Sequence, residues 1–353
     1  MVYKCLLAFW MILSLFAWSE VSPLPEGCHF DEECIVELPE SLCGDGTRSY
    51  YKLTLRKNSP DLLIYLESGG ACWSQETCRM GHVLSLSRKK ARISWVEEEG
   101  LLDLSNPAYP FYQFSQVTIP YCTGDVFLGD RDTDYGSAGK PAIIRHRGYK
   151  NVLLTLNALQ RFFPSPERVV LLGRSAGALG VLGHLRNLDA AFPHSQKFVL
   201  ADAGTPFMPP FLFEKNYRQV MHNWNAFATL PPVSHAGRMD HFGDLVRFNT
   251  LHFPHIRFGL IQSYEDRVMT YFAKSLGSPD ASTAVRKSMI EASDHYLGLN
   301  NPHAKVFFLN GKNHVITKKP LREVSSENVT LLEWLQGMFE NSTWHNVRPD
   351  LRQ

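Results

Sequence analysis

The chain has 353 residues, 44% of them hydrophobic and 20% charged, with a formal net charge of +1. This composition excludes a disordered chain, and the length suffices for one large domain or two smaller ones. A charge so near zero supplies no overall positive field of the kind that binds phosphate backbones, so no nucleic-acid partner is expected.

Lys4 precedes an apolar run from Cys5 to Trp18, and Ala17-Trp18-Ser19 offers small residues at the two positions a signal peptidase reads. Residues 1–19 therefore read as a secretory signal. The run is short for a membrane span, and no later stretch approaches ~20 uninterrupted apolar residues, so a secreted product without stable membrane insertion is expected. Removal of Cys5 leaves Cys28, Cys34, Cys43, Cys72, Cys78 and Cys122. An even number in an oxidising compartment suggests three disulfides, of which spacing singles out only Cys72 with Cys78. Asn328-Val329-Thr330 and Asn341-Ser342-Thr343 are glycosylation acceptors in a eukaryotic source.

Residues 20–48 form a cysteine-rich segment of low apolar content, expected to be irregular and strapped down by disulfides. A single domain is expected over residues 49–353. Ser49 to Arg56 alternates in polarity, Asn58-Ser59-Pro60-Asp61 reads as a turn, and Leu62 to Leu66 is a continuous apolar run, together suggesting a hairpin that feeds the sheet interior. Glu67-Ser68-Gly69-Gly70-Ala71-Cys72-Trp73 follows as a glycine-rich loop. The basic run Arg88-Lys89-Lys90-Ala91-Arg92 reads as a solvated helix face rather than a polyanion site. Gln116 to Cys122 is a strand, and the aspartates at 125, 130, 132 and 134 beyond it lack the glycine and terminal glutamate of a calcium loop.

Gly148 to Phe163 carries Val152, Leu153, Leu156, Leu159 and Phe163 at helical spacing, and Pro164-Ser165-Pro166 stops it. Arg168 to Leu172 is the next strand, and Lys197 to Gly204 the one after. Alternating strands and helices predict an α/β fold with a mainly parallel sheet and helices on both faces. Residues 205–232 mix prolines with aromatics and read either as a lid beside the site or as ordinary helical core. Ile256 to Gln262 and Lys305 to Leu309 are the last strands, and residues 328–339 carry the apolar stripe of a helix packed on the sheet.

Chemistry concentrates at Gly173-Arg174-Ser175-Ala176-Gly177. A β-branched run breaking into Gly-x-Ser-x-Gly and then into small helix formers is the strand, sharp turn and helix of a nucleophile elbow. The pentapeptide alone arises by chance often enough to be weak, so the remaining parts decide. A serine hydroxyl needs a base, an acid to orient that base, and donors for the oxyanion. His314 follows the last strand in a short polar loop and is favoured as base over His295 and His303. Asp266 follows the preceding strand and completes the hydrolase chain order of Ser, Asp, His, with Asp202 as its rival. The amide of Ala176 and those of Gly69 and Gly70 are the candidate oxyanion donors. His252-Phe253-Pro254-His255 lacks a nearby acid for zinc, and Cys-x-x-Cys, phosphate-loop and dinucleotide motifs are missing from the sequence. Neither metal nor cofactor is expected.

Taken together, Leu66 to Trp73 with Cys78, Ile119 to Val126, Gly173 to Gly177, Asp202-Ala203-Gly204 and Asn313-His314 resemble the pectin acetylesterase and Notum family, from about residue 50 to the end of the chain. The resemblance implies a secreted, metal-independent carboxylesterase with an α/β-hydrolase core. It implies Ser175 as nucleophile, Asp266 and His314 as its partners, and Gly69, Gly70 and Ala176 as oxyanion donors. The implied substrate is an acylated polysaccharide or an acylated protein; within the family, acetyl groups on pectin and a palmitoleoyl group on Wnt proteins are both represented. A non-catalytic binding protein on the same fold and a serine peptidase are the rival classes. The chain departs from the family pattern at Arg174, where small residues are usual; it is expected either to point away from the site or to bind an anionic substrate group. Ala178 and Ser68 stand where glycines are common, and Gly70 stands where Notum carries a tryptophan.

Overall fold

The computed structural model describes residues 24–79, 82–88, 100–103, 106–204, 210–231, 242–297, 302–340 and 344–349. The signal sequence, Lys89 to Arg92 and the Asn341 acceptor lie outside them. Asn328 sits exposed in the turn between two short strands, Ser325–Ser326 and Val329–Thr330.

Eight strands build the main sheet: β1 Glu33–Leu42, β2 Arg48–Thr54, β3 Leu62–Leu66, β4 Ser115–Ile119, β7 Arg168–Arg174, β8 Gln196–Asp202, β9 Arg257–Ser263 and β10 Ala304–Leu309. A separate antiparallel pair, β5 Arg131–Asp134 and β6 Ile143–His146, lies between β4 and β7 in the chain. The spatial order is β1-β2-β4-β3-β7-β8-β9-β10, antiparallel through β1, β2 and β4 and parallel from β4 onward. Helices α2 Gly148–Phe162 and α3 Ala176–Ala191 lead into and out of β7; α1 is the short Gln75–Arg79. Then come α4 Pro210–Trp224, α5 Ala226–Thr229, α6 Phe242–His252, α7 Arg267–Ser275, α8 Ala281–Leu297 and α9 Leu331–Glu340.

The unbroken apolar runs of the central strands follow from burial on both faces. Side chains alternate across a strand. Leu62, Ile64 and Leu66 of β3 and Val169 and Leu171 of β7 enter the core under α2 and α3. Leu63 and Tyr65, with Val170 and Leu172, enter the opposite core, covered by Leu101, Leu102, Tyr109, Phe111, Phe114 and α9. This is the expected α/β architecture with helices on both faces.

Two expectations fail. Residues 58–61 do not close a hairpin, because β4 lies between β2 and β3. The Arg56 N–H donates to Ser115 Oγ and the Ser115 N–H to the Asp61 carbonyl, so the connection crosses the start of β4. A strand as apolar as β3 gains more from two neighbours inside the sheet than from one at an edge. The segment before residue 48 is not irregular either, since β1 pairs with β2 over most of its length. An edge strand tolerates low apolar content, and disulfides pin its two ends, Cys28–Cys34 at the start and Cys43–Cys122 just past the finish. Its register shifts between Glu37 and Leu42, where Pro39 falls, as expected for a bulge at an edge. The third disulfide joins Cys72 to Cys78, the pair that spacing singled out. Among the described residues, no helix is long and apolar enough to cross a membrane. Within residues 205–232, α4 and α5 are helical and the rest lies mostly outside the description.

Candidate active site

Ser175 occupies the turn between β7 and α3 with φ 53° and ψ −113°, a conformation costly for any residue bearing a Cβ. Both flanking glycines are enforced by contact. A Cβ on Gly173 would lie 2.1 Å from the Gly177 carbonyl oxygen, and one on Gly177 would lie 2.1 Å from the carbonyl oxygen of Leu66 in β3. Strand and helix thus pass at backbone contact, with the Ser175 N–H held by the Asp202 carbonyl at 2.8 Å. Ser175 retains 9% of its surface.

His314 lies in the loop after β10, and its Nε2 is 2.8 Å from Ser175 Oγ. Its Nδ1 is 2.8 Å from Asp266 Oδ2 and 3.0 Å from Oδ1. Asp266 is fully buried and caps α7, accepting the Val268 and Met269 N–H groups at 2.9 and 3.0 Å, while Gln262 Nε2 donates to Oδ2 at 2.8 Å. A carboxylate can only accept, so Nδ1 carries the imidazole proton and Nε2 presents its lone pair to the serine hydroxyl. The three side chains come from loops after β7, β9 and β10, which end on one edge because these strands are parallel. His303, by contrast, precedes β10 at the opposite edge and lines a small cavity with Leu185, Asn249 and Phe258. His295 falls in α8.

Asp202 has another task. Its carboxylate accepts the N–H groups of Ile316 and Thr317 at 3.1 and 2.8 Å and the Thr317 hydroxyl at 2.6 Å, and burial raises its pKa against those bonds. Arg174 is wholly buried on that same side and takes the first of its two expected courses, away from the Ser175 hydroxyl.

Ala176 opens α3, where the first N–H groups have no partner within the helix. Gly69 and Gly70 follow β3, the neighbour of β7. Gly70 has φ +78°, and a Cβ there would lie 1.9 Å from the His82 carbonyl oxygen; one on Gly69 would lie 1.9 Å from the Tyr121 ring. The loop is pinned to residues 82–84 through the Gly69 carbonyl and the Ala71 N–H. Neither the Gly69 nor the Gly70 N–H donates to a backbone acceptor among the described residues. Beneath them Glu67 is buried, which pushes its carboxyl up to about 8 despite the Tyr121 N–H at Oε2.

The acidic loop is occupied with local bonding. Asp125 accepts the Gly148 and Phe127 N–H groups, Asp130 and Asp132 pair with Arg147, and Asp134 accepts from Gly136 and Ala142. Gln262 and Thr317 escape sequence reading; their only signal is a polar side chain at a strand end or in the turn after the histidine.

A family model described as pectinacetylesterase matches residues 34–235. Palmitoleoyl-protein carboxylesterase notum2 of Xenopus laevis is 30% identical over 153 residues, 42% of this chain and 30% of that protein. Pectin acetylesterase 11 of Arabidopsis thaliana is 24% identical over 168 residues, 46% of this chain and 42% of that protein. The matched stretches therefore span less than half of these relatives' lengths. A crystal structure of the Wnt deacylase Notum from Drosophila shares the fold with a TM-score of 0.65 at 16% identity, covering 92% of this chain and 97% of the other. A family model that covers more than half of the chain, together with this fold and these relatives, makes the chain a member of the pectinacetylesterase family.

Proposed function

We propose that this protein is a secreted serine carboxylesterase that removes an acyl group from an oxygen. The observation that carries the reading is the unbroken hydrogen-bonded path from Ser175 Oγ through His314 to Asp266. Ser175 attacks the ester carbonyl as His314 Nε2 takes its proton, and Asp266 holds the imidazole tautomer and stabilises the imidazolium. The tetrahedral oxyanion is received by the amides of Ala176, Gly69 and Gly70. His314 returns the proton to the leaving alcohol, then draws one from a water that attacks the acyl-enzyme, releasing the acid and freeing Ser175. Family membership favours an ester over an amide. The relatives' names point to an acylated protein or an acylated polysaccharide as substrate, and three disulfides agree with an oxidising compartment.

Ser175→Ala is expected to give a folded protein with no hydrolysis of short p-nitrophenyl esters and no labelling by a fluorophosphonate probe. Hydrolysis that persists in that variant refutes the mechanism, and a folded wild-type chain that resists the probe supports a binding protein instead. A profile of esters from acetyl to palmitoyl then defines the acyl group.

A further inference from the structure

Arg174 stands inside the elbow, next to the nucleophile, yet is 0% exposed. Alternation along β7 sets its direction: Val170 and Leu172 enter the core under α9, and Arg174 follows in phase. There its guanidinium carbon lies 5.5 Å from the centre of the Tyr65 ring. Nε donates to Thr317 Oγ1 at 2.8 Å and an Nη donates to the Thr317 carbonyl at 3.0 Å. Asp202, its register partner on β8, binds the same residue from the other side, taking the Thr317 N–H and hydroxyl together with the Ile316 N–H.

All these bonds converge on the single helical turn Ile316–Lys318, which begins two residues past His314. Between them Val315 has φ 57°, a left-handed conformation that a β-branched residue avoids and that must be imposed from outside. Asp202 meanwhile holds the Ser175 N–H through its backbone carbonyl. One cluster thus grips both the backbone of the nucleophile and the turn behind the base. An apolar residue at 174 would leave the Thr317 carbonyl short of a donor and the buried Asp202 carboxylate without its cation. Buried charges held in this way add little net stability over apolar packing, so geometry is the better account of what Arg174 does.

Resting on the reading of Ser175 and His314 as nucleophile and base, we infer that Arg174 is a positioning residue. Through Thr317 and Asp202 it fastens the turn behind His314 to the strand ends that carry Ser175, and so sets the Oγ to Nε2 distance. It touches neither substrate nor the reacting atoms. Displacement of a catalytic group by about 1 Å costs on the order of 10²-fold in rate, which sets the size of the expected effect.

Thr317→Val removes the hydroxyl that links Arg174 to Asp202 while keeping the backbone N–H and the side-chain volume. Measured on the full chain with a short p-nitrophenyl ester, it is expected to lower kcat ten- to a hundredfold with KM within about twofold of wild type and the melting temperature lowered by several degrees, since Arg174 Nε and the Asp202 carboxylate each lose a buried bond. Fluorophosphonate labelling of Ser175 slows in parallel, and Thr317→Ser restores most of both rates. Arg174→Lys, which keeps the buried charge but loses the fork, carries the same expectation if the valine variant does not fold. The inference is overturned if either variant folds with kcat within about twofold of wild type, if serine fails to restore activity, or if neither variant folds. Ser175→Ala measured alongside separates the two readings. If it is inactive while Thr317→Val is unimpaired, only the positioning role fails; if it stays active, the site reading fails and the positioning role with it.

Discussion

Glu67 ends its loop-side course beside the elbow, its carbonyl 3.0 Å from where a Cβ on Gly177 would stand, and burial pushes its carboxyl from an ordinary 4.5 up to about 8. A carboxyl that binds its proton more tightly in the fold than in the unfolded chain favours the fold at low pH. That contribution is complete below the unfolded pKa and is lost as pH rises through the folded one, here between 4.5 and about 8. At about 1.36 kcal/mol for each pH unit of that gap, the loss is roughly 5 kcal/mol, a large fraction of a typical protein's stability. Glu67→Gln keeps an acceptor for the Tyr121 N–H and abolishes the ionisation. Urea unfolding with the disulfides intact, run on both proteins from about pH 4 to about pH 9, measures the difference directly. The variant is expected to gain on the wild type by several kcal/mol across the window and to hold a constant offset below it. Asp125, pushed up to about 6, and His146 and His184, each pushed down to about 4 by burial, titrate alike in both proteins and cancel. A stability difference that stays constant over the whole range refutes the burial argument.

Gly177→Ala places a Cβ 2.1 Å from the Leu66 carbonyl oxygen and 3.0 Å from that of Glu67, both rigid backbone, so urea unfolding should show a loss of about 3 kcal/mol or more. Asp266→Asn retains a good helix cap but presents the imidazole with an amide, and kcat should fall about 10³- to 10⁴-fold while stability changes by less than about 1 kcal/mol. Replacing Cys43 and Cys122 by alanine opens a crosslink between residues 79 apart, against 6 for Cys72 and Cys78. Chain entropy then predicts losses of about 4 and about 2 kcal/mol respectively, read as the two shifts in unfolding midpoint.

The central strands were legible because burial on both faces leaves an unbroken apolar run, as in Leu62 to Leu66 and Val169 to Leu172. Their neighbours were not. Whether β3 pairs with β2 or admits β4 between them is settled by contacts such as Arg56 with Ser115, some 59 residues apart, which no local pattern records. β1 was missed because an edge strand held by disulfides needs little apolar surface. The meeting of Ser175, Asp266 and His314 was readable from chain order, since parallel strands deliver their following loops to one edge. Arg174 was readable in part: the phase of Val170 and Leu172 already sends it to the face opposite α3. Its partner was hidden, because Thr317 is an ordinary polar residue until the turn after His314 folds beneath β8.

The place of the site follows from the order of the sheet. From β3 the chain crosses to β4 on one side, while β7 pairs with β3 on the other, so the loops leaving β3 and β7 diverge at their carboxyl ends, the place where open α/β sheets form their ligand crevice. Gly69 and Gly70 leave β3 on one wall of that crevice and Ser175 leaves β7 on the other. The two walls cannot slide independently, because Gly177 presses on the backbone of Leu66 and the chain offers no side chain there to give way. On the far side of β7 the same rigidity is reached by different means. His314 arrives from β10, two strands beyond β8; the turn behind it meets Gly100 at backbone contact, where a Cβ would lie 2.1 Å from the Thr317 carbonyl oxygen, and β7 reaches that turn through a side chain. A long, charged side chain at position 174, bonded to Thr317, which Asp202 holds in turn, spans that gap. Glycine on one side and arginine on the other therefore meet the same requirement at two different distances.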